Sequence, residues 1–99
     1  MTKIKNLAEN IMEEVCGAKH YAECYIEEKA KNNTQWANRF KEMANDELKH
    51  ANYLHEWTVA EIEKLKSVYT PPQEMLDSWE HTHKKYVEKA AWVKQMLTM

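Results

Sequence analysis

A chain of 99 residues with 14 Lys and Arg against 16 Asp and Glu carries a net charge of −2. Neither sign dominates enough for a nucleic-acid or membrane-surface protein, and no apolar run approaches the ~20 residues that a bilayer span needs. The length suits one domain, 1–99, with a modest core. One Gly and two Pro among many Ala, Glu, Lys and Met leave few helix breakers, which makes the expected fold all-α.

The first residues, Met-Thr-Lys-Ile-Lys-Asn, are slightly basic, but no apolar stretch comes after them, so no secretory signal is expected. Cys16 and Cys24 lie about 12 Å apart along one helix, too far to pair with each other. A reducing, cytoplasmic compartment is the simplest expectation.

The breakers mark two turns. Asn32-Asn33-Thr34 is a polar cluster with Thr34 as the expected N-cap of a second helix. Thr70-Pro71-Pro72 must stop one helix and can start the next. The spacing predicts three long helices, roughly 2–31, 34–68 and 72–98, antiparallel in sequence because their connections are short. The first presents Ile4, Leu7, Ile11, Glu14, Ala18, Tyr21 and Tyr25 at core spacing. The second presents Trp36, Phe40, Met43, Glu47, His50, Leu54, Trp57 and Glu61, with Ala37, Ala44 and Ala51 as a further row that predicts a close helix–helix approach. The third presents Leu76, Trp79, His83, Tyr86, Ala90, Val93 and Leu97.

The polar interruptions of these stripes carry the functional signal. Glu47 and His50 are three residues apart, hence neighbours on one helix face, and Glu is seldom buried without a partner. Carboxylate oxygen and imidazole nitrogen are both ligands of first-row metals. Counting back from the turn near residue 33, residue n of the first helix faces roughly residue 65 − n of the second. Glu14 therefore falls at the level of His50 and Glu47. The same count across the Pro pair places His83 near Trp57 and Glu61, away from that layer. Two carboxylates and one imidazole are too few for a di-metal centre. A two-fold partner would double them to the four carboxylates and two imidazoles of di-iron bundles.

The segments Glu14-Val15-Cys16-Gly17-Ala18-Lys19-His20-Tyr21 and Asn45-Asp46-Glu47-Leu48-Lys49-His50-Ala51 resemble the first half of a rubrerythrin- or ferritin-like protein. There a Glu, with a Tyr seven residues on, precedes a helix bearing Glu-x-x-His-Ala. The resemblance covers roughly residues 10–55. With only one half clear, the chain is similar to the short encapsulated ferritins that build an iron site between subunits. The resemblance implies a ferritin-like bundle completed by homodimerisation or a higher homo-oligomer. It also implies Glu14, Glu47 and His50 as iron ligands, Tyr21 as a hydrogen-bonding partner of a ligand carboxylate, and two irons per dimer site. The implied chemistry is Fe(II) oxidation of the ferroxidase type, or reaction with O2 or peroxide. The chain departs from the encapsulated ferritins in its long third helix, with Glu80-His81-Thr82-His83, and in the absence of a recognisable encapsulin-targeting tail.

Each residue also has a plainer reading. Glu47 and His50 could be a hydrogen-bonded pair, Tyr21 a core aromatic, and His83 a core histidine bonded to Glu61 or a backbone carbonyl. Glu80, His81, His20 and His55 are expected at the surface. A structural Zn or Mn site, and a metal-free helical oligomerisation or adaptor module, remain open beside the iron centre.

Overall fold

A computed structural model describes residues 2–99. Three helices succeed one another with short connections: α1 Thr2–Ala30, α2 Thr34–Val68 and α3 Gln73–Met96. They form a narrow rod with principal extents of 55 × 17 × 17 Å, and no strand occurs among the described residues. The helices expected from the turn residues are all present, with ends shifted by two residues at most.

The first connection is set by Asn32, the non-glycine residue with positive φ, at 60°. Asparagine tolerates this left-handed conformation at a helix end. Asn33 N–H bonds Glu28 O at 2.9 Å and Asn32 N–H bonds Lys29 O at 3.0 Å, the paired closing bonds of a Schellman motif. The N-cap of α2 is Asn33 and not Thr34, which is already helical. At the second connection Tyr69 N–H still reaches Leu65 O at 3.0 Å. Pro71 and Pro72 then prevent continuation, because proline has no amide proton and disfavours helical geometry before it. Pro72 becomes the N-cap of α3.

α1 is the central element and packs on both α2 and α3. Two apolar clusters run along it. Near its start, Ile4 and Ile11 meet Ile62 of α2 and Trp79 of α3. Near its end, Ala18, Ala22 and Tyr25 meet Ala37 and Ala44 of α2, Val93 and Met96 of α3, and Leu97 just after it. α2 therefore runs antiparallel to α1, and α3 antiparallel to α2. The chain terminus is tied back by Lys29, whose Nζ donates to the Met99 carbonyl oxygen.

The core seam of α2 differs from the expected stripe. Its buried residues are Ala37, Ala44, Ala51, Thr58 and Ile62, so the alanine row is the seam. Trp36, Met43 and Trp57 are 54%, 39% and 48% exposed. The 3/4 spacing detected a real apolar stripe, but one on the neighbouring flank of the helix. Small side chains let the α1 and α2 backbones approach closely, and the larger ones are displaced to the rim. On α1 and α3 the expected stripes agree with burial at Ile4, Leu7, Ile11, Ala18, Tyr25, Trp79, Ala90, Val93 and Leu97. Thr58 is the buried polar residue of the seam, and its hydroxyl donates to Leu54 O at 2.7 Å.

Candidate metal centre

Glu14, Glu47 and His50 come together at the rim of the α1/α2 seam. One ligand atom from each lies within 4.8 Å of the others. His50 Nδ1 is 3.4 Å from Glu47 Oε1 and 3.6 Å from Glu14 Oε2. The antiparallel register explains this directly: Glu14 meets α2 at the level predicted by counting from the turn. Glu47 and His50 share a face because they are one helical turn apart. No residue of α3 joins the group; at the end of α1, α3 contributes Val93 and Met96 to the apolar core instead.

The group is only partly covered. Glu14 and Glu47 are half-buried and His50 is exposed. Even so, the Glu47 carboxyl pKa is raised from its ordinary value. A hydrogen bond with Glu14 is the largest cause, followed by partial burial and the Glu14 charge, while His50 pulls the other way. Two carboxylates this close repel each other when both are ionised, and a neighbouring cation offsets that repulsion. A divalent metal would supply that compensating charge. Two carboxylates and an imidazole suit an iron, manganese or zinc ion by donor chemistry, and the three residues fit such a group.

Tyr21 lies on the same flank. Its ring stacks on Phe40, 6.3 Å between centroids, and meets His20 at 5.6 Å. At the far end of the flank, Trp57 Nε1 donates to Glu61 Oε1 at 3.1 Å, and Lys3 pairs with the same oxygen at 3.3 Å.

His83 is half-buried in a stack and is not bonded to Glu61. Its ring lies 4.9 Å from that of His55 and 5.7 Å from Trp79, and His55 also stacks on Tyr86 at 5.4 Å. His55, expected at the surface, is thus half-buried between α2 and α3. Sequence spacing missed this because His55 lies on the α3-facing flank of α2, next to the alanine seam and off the stripe that the pattern tracked. His20, Glu80 and His81 are exposed as expected. His20 lies 3.8 Å from the sulfur of Cys24. The Cys24 thiol is pushed up by burial and by Glu27, Glu23 and Glu28, which disfavours the reactive thiolate.

A family model described as Rubrerythrin matches residues 5–97. The chain belongs to the rubrerythrin family. This family lies within the ferritin-like superfamily and typically binds iron. The match runs through α3, well past the segments that carried the resemblance in the sequence. No curated protein and no solved structure gives a significant match. Among the described residues, no helix of this rubrerythrin-family chain is long and apolar enough to cross a membrane.

Proposed function

We propose that the chain is a di-iron protein whose centre is completed by a second copy docking on the open α1/α2 face. The observation that carries this reading is the convergence of Glu14, Glu47 and His50 on the flank where large apolar side chains remain uncovered. Trp36, Met43 and Trp57 are exposed there, with half-buried Phe40 and Leu54 between them. A contiguous apolar face of this kind on a small domain marks an interaction site. A two-fold axis through it would pair α1 and α2 with the partner's equivalents in a four-helix bundle. It would also assemble the four carboxylates and two imidazoles of the di-iron ligand set, leaving α3 on the outside.

Iron held there would supply Fe(II)/Fe(III) redox chemistry toward O2 or peroxide. The chain's own part is electrostatic and positional. Glu14 and Glu47 would present their oxygens to the cation, whose charge would offset the repulsion between them. His50 would add a nitrogen through Nδ1, the atom that faces the two carboxylates, leaving its outer nitrogen for solvent or the partner. Tyr21, fixed by Phe40, would support a ligand carboxylate once the partner narrows the site. Both cysteines are free, in keeping with a cytoplasmic location.

Anaerobic Fe(II) titration with measurement of mass in solution, and then exposure to O2, tests the reading. Two irons per dimer, lost in Glu14→Ala, and an absorbance rise on oxidation are expected. A metal-free monomer, or a dimer indifferent to chelators, would overturn it. Stoichiometric zinc or manganese without oxidation would leave a structural site in place of a redox one.

A further inference from the structure

Gly17 is the single glycine of the chain and sits in the interior of α1. Glycine weakens a helix interior relative to alanine, and its φ is not positive, so no unusual backbone conformation calls for it. Close approach of the two helices does not call for it either. Elsewhere that approach is made with alanine: Ala18 and Ala22 on α1, Ala44 and Ala51 on α2. What is particular to position 17 is its neighbour. A Cβ placed there would lie 3.1 Å from Glu47 Oε2, with Cδ at 3.8 Å and Cγ at 3.9 Å.

The first of these distances is tighter than ordinary van der Waals contact, so the Glu47 carboxylate would have to yield by a few tenths of an ångström. For a free side chain that movement is small. For a metal ligand it is not, because coordination distances hold to about ±0.2 Å. We propose that Gly17 is a positioning residue for the Glu47 carboxylate, its missing Cβ being the space in which Oε2 lies against α1 while Oε1 is presented to His50. The inference rests on the metal-centre reading of Glu14, Glu47 and His50. The helix gives up local stability at one point, beside the ligand on the facing helix, so that this carboxylate can lie close against the α1 backbone.

Gly17→Ala in the full chain is the test, with Co(II) and anaerobic Fe(II) as probes. The metal-free variant should melt roughly 2–8 °C higher than the parent, since alanine favours the helix. Its Co(II) and Fe(II) affinity should fall by about tenfold or more, with a displaced Co(II) absorption band, while its metal-free mass in solution stays unchanged. In a Glu47→Ala background the same substitution should leave residual Co(II) binding unaltered, because the side chain it displaces is gone. Parental affinity and an unchanged band in Gly17→Ala would overturn the proposal. So would a drop in melting temperature that persists in the Glu47→Ala background, which would place the clash in the backbone. If the parent chain binds neither ion, or Glu47→Ala alone has no effect, the metal-centre reading fails instead.

Discussion

Glu14 of α1 and Glu47 of α2 face each other across the helix seam closely enough that a hydrogen bond between their carboxyls is the main cause raising the Glu47 pKa. Each helix alone would leave its glutamate solvated. The antiparallel register brings them together, and Glu47 then holds its proton more tightly than it would in water. A site of this kind is destabilised when empty and ionised, and stabilised by whatever positive charge it captures.

Glu47→Gln should therefore separate stability from binding. The amide keeps the shape and can still hydrogen-bond Glu14, but it removes the repulsion. The metal-free variant should melt at the same temperature as the parent or a few degrees above it at pH 7. Bound iron per chain should fall to near zero. Elemental analysis beside thermal melting of chelator-treated protein measures both, and a variant that is less stable without losing iron would show a structural glutamate in place of a ligand.

The open face supplies the next prediction. Met43 lies at the rim of the stripe, 39% exposed, one turn before Glu47. Met43→Glu places a charge where two copies would meet, without touching the core. The monomer should remain folded. Dimer affinity should weaken by about 10–100-fold, the order expected when a contact worth ~1–3 kcal/mol is lost. Iron stoichiometry should fall in the same concentration range, because half a ligand set binds weakly. Conversely, iron should tighten dimerisation of the parent chain, a linkage readable by sedimentation with and without a chelator.

How much of this was legible in the sequence depends on what each residue had to signal. The Pro pair and the Asn-rich turn stopped helices for local reasons, so the elements and their antiparallel order could be read from chain order alone. Glu14 reached Glu47 and His50 by counting, because register along a rod needs only the turn position. The seam of α2 was harder. Periodicity weights large apolar residues, and here the large ones line an uncovered face while alanines line the buried one. A chain that buries one face within itself and offers another to a partner shows two stripes, and spacing does not say which is which. The His55/His83 stack was lost for the same reason, being on the flank next to the seam.

That stack makes α2/α3 packing sensitive to pH. The His55 pKa is lowered from its ordinary 6.5 by burial first and by His83 second, with Glu56 opposing. Trp79 and Tyr86 cover the ring from α3, and Glu63, Glu80 and Lys66 line the same recess. A histidine with a lowered folded pKa binds protons more readily when unfolded. Stability should therefore be full above about pH 6.5 and fall as the pH drops from there toward the lowered value. His55→Phe preserves the stacking surface and removes the titration. Its melting temperature should vary less than the parent's between pH 7.5 and 5.5, and an identical pH profile would assign the dependence to other groups.

The alanine seam predicts an effect on the site from a residue that ligates nothing. Ala51 is fully buried and comes directly after His50, at the level where Glu14 meets α2. Ala51→Leu adds bulk where the two helices come closest. Overpacking of this kind costs about 1–3 kcal/mol, and for a domain of this size each kcal/mol lowers the melting temperature by roughly 4–8 °C. The substitution should also push α1 away from α2, separating the Glu14 carboxylate from Glu47 and His50, so iron affinity should fall although all three side chains are intact. Asn52→Ala changes the next residue on the exposed side, where the amide bonds Glu56 at 3.2 Å. It should leave stability within about 0.5 kcal/mol of the parent and iron binding unchanged. Loss of stability without loss of iron affinity in Ala51→Leu would mean that the site tolerates a wider helix spacing than the seam imposes.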